Sequence, residues 1–188
     1  AKDFSVLLDT FAEYDQSFEL VVGHSMGANV AALTLGSRME LTQQLIILDI
    51  LGGMPEKPTE QPARFGEVLK GLKKKKDFKP INTPQEAIQR LKKMNPYLSE
   101  EGAKLMALTN IEPHPDSGYQ FAFAKDLKGK TPFRFPQEFW LALFSNLKNK
   151  TWVFRGENGL LPKAQDEPLV KERLETLGLS RARTIEGK

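Results

Sequence analysis

The stretch ELVVGHSMGANVAALTL, Glu19 to Leu35, sets one serine between two glycines in the order Gly23-His24-Ser25-Met26-Gly27. A serine hydroxyl attacks a carbonyl only when a base takes its proton, and the base needs an acid to orient it and stabilise its charged form. The chain has two histidines, His24 and His114, and no cysteine. Acyl transfer through Ser25 is therefore the chemistry at issue. A cysteine nucleophile, a disulfide and thiolate ligation of a metal are excluded together. No group of His, Asp and Glu has metal-ligand spacing, so neither a metal nor another cofactor is expected.

The flanks have to hold the serine. Phe18–Val22 is a short apolar run that predicts a strand, and Val30, Ala31, Leu33 and Leu35 predict a helix to about Met39. G-x-S-x-G between a strand and a helix is the form of a nucleophile elbow. The glycines admit a tight turn, and Ala28, Ala31 and Ala32 keep the helix close to the strand. At the head of that helix the Met26 N–H would help bind an oxyanion. Upstream, Phe4, Leu7, Leu8 and Phe11 predict an amphipathic helix over 3–14. QLIILDI, Gln44 to Ile50, suits a strand buried on both faces of a parallel sheet.

The pattern then changes. LGGMPEKPTEQP can continue neither element. From Arg64 to Thr109 the spacing is helical, with Phe65, Val68, Leu69 and Leu72 on one face. Thr83-Pro84-Gln85-Glu86 has capping-box spacing with proline at the first helical position, and Pro96 closes that helix. GYQFAFAKDL, Gly118 to Leu127, is extended and aromatic. The α/β pattern then returns. Phe139, Trp140, Leu143, Phe144 and Leu147 mark a helix, TWVFRG a strand, and Leu169, Val170, Leu174 and Leu177 another helix. RTIEG opens a final strand.

With GHSMGANVAAL, QLIILDI and FRGENGLLP on one chain, the sequence resembles the α/β-hydrolases, in the capped esterase-like and serine-hydrolase-like branch. The resemblance covers essentially the whole chain, and the elbow is its most specific part. It implies a mostly parallel α/β sheet with helices on both faces, its core over 1–51 and 136–188. A helical cap over 52–135 is inserted in that core. It also implies hydrolysis of a carboxylic ester or related acyl substrate through an acyl-enzyme on Ser25, with the Met26 N–H as an oxyanion donor. In this family the acid follows the serine along the chain and the histidine comes last. The acid commonly sits in a G-x-x-D turn after the strand at Thr151. Here that turn reads Gly156-Glu157-Asn158-Gly159, with glycine at the aspartate's place. The family's second arrangement puts the acid at the end of the preceding sheet strand, which is Asp49. Glu157 is the alternative acid, and Asp166 a further one.

The histidine is where the sequence departs from the family. Relatives carry it in a Gly-His just after the final strand, whereas this sequence reads RTIEGK. His24 lies inside the elbow and is expected beside substrate rather than as the base, and His114 belongs to the cap. Tyr119, Phe121 and Phe123 would line an apolar substrate pocket. The early strands of the family, and the His-Gly loop that donates the second oxyanion N–H, have no counterpart. We therefore expect the C-terminal half of such a sheet, a fragment whose open edge is completed by a further segment or a second chain. The rival expectation is a catalytically incomplete relative that binds ligands or assembles with a partner.

Composition narrows the classes. With 40% hydrophobic and 27% charged residues in 188, a soluble globular domain is expected. No apolar run reaches the roughly 18–20 residues of a membrane span, and no signal-peptide pattern opens the chain. A cytoplasmic location is the expectation. Residues 52–135 carry 16 Lys and Arg against 10 Asp and Glu, so the net charge of +3 is concentrated in the cap. The run Lys73–Lys76 reads as the solvated side of a helix, and no nucleic-acid motif accompanies it.

Overall fold

The computed structural model describes residues 1–14, 16, 18–38, 40–41, 43–72, 80–114, 118–122, 131–159, 161 and 167–186. Lys73–Lys76, Phe123 and Asp166 lie outside the described residues. In chain order the first elements are α1 (Lys2–Glu13), β1 (Leu20–His24), α2 (Met26–Ser37), β2 (Gln44–Leu48), α3 (Gln61–Leu72), α4 (Pro84–Met94) and α5 (Glu100–Asn110). They are followed by β3 (Ile111–Pro113), β4 (Tyr119–Phe121), α6 (Gln137–Ser145), β5 (Thr151–Gly156), α7 (Pro168–Thr176) and β6 (Arg183–Ile185). The chain divides into two compact units, one of Ala1–Pro62 with Phe133–Lys188 and the other of Ala63–Pro132.

The first unit is a four-stranded sheet in the order β1-β2-β5-β6, with every adjacent pair parallel. Parallel strands need crossover connections, and the helices between them supply these. Leu45, Ile47 and Val153 point from the strands into a core closed by Leu35, Phe144, Leu174 and Leu177. Each such side chain contributes about 1.5–3 kcal/mol on burial. Helix α2 packs on β1, β2 and α6. It can come close because Ala28, Ala31 and Ala32 are buried at its contact face, and because Gly36 leaves room for Leu143.

Two strand boundaries differ from expectation for a physical reason. β1 starts two residues later than Phe18 and runs through Gly23 and His24, because its pairing with β2 continues to His24 opposite Leu48. β2 stops at Leu48 rather than Ile50, because Asp49 turns the backbone to φ 60°.

The second unit packs α4 against α5. Its core is Ile81, Ala87, Ile88, Ala103 and Ala107. Thr83 caps α4, its hydroxyl accepting from the Glu86 N–H at 3.3 Å. The Glu86 carboxylate reaches back to the Asn82 N–H at 2.9 Å, one residue further than the usual capping box. The Asn82 bond, then the one to Arg90, holds the Glu86 carboxyl below its ordinary value. The expected apolar face of α3 stays exposed at Phe65 and Leu69. No described helix is long and apolar enough to cross a membrane.

Candidate active site

Three strand ends meet at the C-terminal edge of the parallel sheet, where ligands bind in open α/β folds. At the end of β1, Ser25 adopts φ 50° and ψ −124°, a conformation that L-residues avoid. It is held there from both sides. Its own N–H donates to the Leu48 carbonyl at 3.1 Å, and its carbonyl accepts the first bonds of α2 from Ala28 and Asn29. The Met26 and Gly27 N–H groups are left at the open end of that helix, where the backbone field favours negative charge. The Ser25 hydroxyl does not bond back to the helix it caps, so it is not consumed in capping.

The two glycines of the motif are not equivalent. A Cβ on Gly23 would lie 2.5 Å from the Ala28 Cα, so the strand and the helix touch backbone to backbone there. A Cβ on Gly27 would meet nothing within 4 Å. Only the first glycine is demanded by the turn.

Asp49 follows β2 as Ser25 follows β1, and the register His24 opposite Leu48 puts the two residues level on neighbouring strands. Its N–H donates to the Phe154 carbonyl at 2.9 Å, which ties the turn to β5. The third strand end, β5, leads into the Gly156–Gly159 turn, closed by the Gly159 N–H on the Gly156 carbonyl at 3.1 Å. A Cβ on Gly159 would lie 1.9 Å from Asp49 Oδ1 and 2.6 Å from its carboxyl carbon. The Asp49 carboxylate therefore fills the volume that a side chain at position 159 would need. With Asp49 placed as it is, position 159 has no room for a side chain. The Leu161 N–H also points to Asp49 Oδ1, at a long 3.5 Å.

The other candidates are placed less pointedly. Glu157 is exposed, and its backbone N–H pairs with the Ile185 carbonyl at 3.0 Å. His24 is exposed at the end of β1. His114 lies just after β3 in the other unit, where its N–H donates to the Gly118 carbonyl at 3.0 Å. Tyr119 and Phe121 pack against the core of that unit. Among the described residues no group of three or more His, Asp and Glu is placed to hold a metal ion.

One residue close behind the site is absent from the sequence reading. Arg173 of α7 is 3% exposed, and its guanidinium grips the loop that follows Asp49. Nη1 donates to the Leu51 carbonyl at 2.6 Å and Nη2 to the Gly53 carbonyl at 3.0 Å. Nε and Nη2 both donate to Gln137 Oε1, at 3.0 and 2.7 Å. Burial pushes its pKa down to about 10, with the neighbouring Glu172 acting the other way, so it stays charged at neutral pH. The signal was in the spacing. Arg173 stands three residues after Val170 and four before Leu177, on the apolar side of the helix.

Solved structures share this fold. A hypothetical protein of Pseudomonas aeruginosa superimposes with TM-score 0.81 at 25% identity, covering 98% of this chain and 65% of that one. The thioesterase domain from the curacin biosynthetic pathway matches with TM-score 0.72 at 19% identity, over 97% of this chain and 64% of that one. E-2-(acetamidomethylene)succinate hydrolase matches with TM-score 0.68 at 14% identity, over 99% and 63%. No family model matches the chain. In sequence it is 28% identical over 150 residues to a serine hydrolase-like protein of Danio rerio, 74% of this chain and 44% of that protein. The chain thus has the α/β-hydrolase fold, and it spans under half the length of that relative and about two thirds of the solved structures.

Proposed function

We propose that the protein is a serine hydrolase of carboxylic esters or related acyl compounds, with Ser25 as nucleophile and Asp49 as the acid. The observation that carries this reading is the shared volume at Gly159. The Asp49 carboxylate fills the volume that a side chain at position 159 would need, level with a strained serine on the next strand, which supports Asp49 as the acid. The serine hydrolase-like relative and the thioesterase fold support the same class.

The chemistry runs as follows. Ser25 Oγ bonds to the acyl carbon while its proton passes to an imidazole oriented by Asp49. The Met26 N–H stabilises the oxyanion, and the alcohol or thiol leaves with the imidazolium proton. Water then adds to the acyl-enzyme by the same route and releases the acid and the free serine. We place the imidazole, the second oxyanion donor and the strands beside β1 in polypeptide outside this sequence, since the matched relatives are longer than the matched stretch. The cytoplasm is the proposed compartment.

A fluorophosphonate probe on the natural full-length protein tests the assignment. We expect labelling at Ser25 that disappears in Ser25→Ala. Folded protein that fails to label would instead favour a binding module without a working base.

A further inference from the structure

Beyond Ser25 and Asp49, the buried Arg173 has no role assigned so far. A guanidinium in a core costs several kcal/mol unless its hydrogen bonds are satisfied, and an apolar residue of like volume is often at least as stable. No ion pair to Arg173 is found among the described residues. Instead it spends its bonds on two loop carbonyls and one amide. That amide is itself oriented, because the Gln137 Nε2 donates to Glu172 Oε2 at 2.8 Å and so turns its oxygen toward the guanidinium. The guanidinium also lies 5.8 Å from the centre of the Trp140 ring.

The loop it grips is an unusual one. Asp49 and Gly52 both have left-handed backbones, at φ 60° and 76°. A Cβ on Gly52 would lie 2.9 Å from Trp140 and 3.0 Å from Arg173 Nη1, so the clamp is fitted closely to the backbone. Leu51, whose carbonyl takes the shortest bond, is 1% exposed. The turn that aims Asp49 is therefore anchored on its far side by α6 and α7, through a planar donor able to reach two carbonyls at once.

We infer that Arg173, backed by Gln137 and Trp140, is the positioning residue of the catalytic acid. By fixing the carbonyls of Leu51 and Gly53 it holds the Asp49 carboxylate in the space above Gly159. This rests on Asp49 being the acid, and the test separates the two claims. Steady-state kinetics with an ester substrate are measured on the natural full-length protein carrying Asp49→Asn, Arg173→Met, or both.

We expect Arg173→Met to lower kcat about 10–100-fold with KM nearly unchanged, since a small misplacement at a reacting centre costs that much. In the Asp49→Asn background the same change should add less than about 2-fold, because both act through one carboxylate. Full activity in folded Arg173→Met, or losses that multiply in the double variant, would overturn the positioning role alone. An Asp49→Asn variant with full activity would overturn the acid assignment and the positioning role with it. If Arg173→Met fails to fold, Gln137→Met is the second variant. It removes the acceptor of two guanidinium bonds from a half-buried position and should lower kcat in the same sense, and an unchanged kcat there would count against the clamp.

Discussion

At the scale of single residues, the site is made of groups held where they are intrinsically unfavourable. Ser25 and Asp49 both have positive φ, each at a cost of about 1–3 kcal/mol. Glycine relieves such strain, so we expect Ser25→Gly to be more stable than Ser25→Ala by about 1 kcal/mol in urea unfolding. Both variants should be inactive. Asp49→Asn should reduce kcat/KM by about 10³-fold or more, whereas Glu157→Gln should change it by less than about 3-fold. A larger loss with Glu157→Gln would move the acid to the turn after β5. Ser25 and Asp49 were both legible in the sequence, because a G-x-S-x-G after an apolar run and an acid at the end of the next run are local patterns. The glycine at 159 was legible only as a missing acid. That it makes room for Asp49 is a three-dimensional fact. Arg173 was legible only as a cation at an apolar position of the helix, because its spacing from Val170 and Leu177 shows burial but not what the guanidinium grips.

At the scale of elements, the elbow depends on one backbone contact. Gly23→Ala drives a Cβ into the Ala28 Cα, and with no flexible side chain to yield we expect a loss of about 3 kcal/mol. Gly27→Ala meets open space inside a helix and should be neutral or stabilising by up to about 1 kcal/mol. Equal losses at the two positions would contradict the contact. In the second unit, Thr83→Ala should cost about 1 kcal/mol through loss of the α4 cap. Glu86 adds a pH dependence of known sign. Its carboxyl lies below the ordinary 4.5, so its contribution is present above that value and is lost as pH falls through the folded pKa. Protection factors of the first-turn amides of α4 should therefore fall more steeply as pH drops below 4.5 in the wild type than in Glu86→Gln. Hydrophobic spacing located these helices well. The ends of β1 and β2 were misplaced because backbone pairing and one left-handed residue, not side-chain pattern, set them.

At the scale of the whole molecule, one edge of the four-stranded sheet has no partner strand among the described residues. β1 is paired on one side by β2, and Leu20 and Val22 are 44% and 57% exposed on it. Unpaired edges with apolar side chains invite association. We expect the 188-residue stretch, made alone, to self-associate with rising concentration, and Leu20→Lys with Val22→Lys to reduce this in sedimentation velocity. A monomer at all concentrations without those changes would argue against missing strands beside β1. The fold class was legible because strand–helix–strand alternation with short links allows few architectures. The base was not, because neither His24 nor His114 stands where the resemblance puts the family's histidine.

The most direct measurement moves the carboxylate from one strand end to the other. Esterase activity is compared in Asp49→Ala, in Gly159→Asp, and in the two combined, on the natural full-length protein. If one space accepts an acid from either strand, each single change should abolish most activity, the second by crowding Asp49, and the pair should restore a substantial part of it. Full activity in Asp49→Ala would show that Asp49 is not the acid that serves Ser25, and full activity in Gly159→Asp alone or a pair as inactive as Asp49→Ala would contradict the shared space.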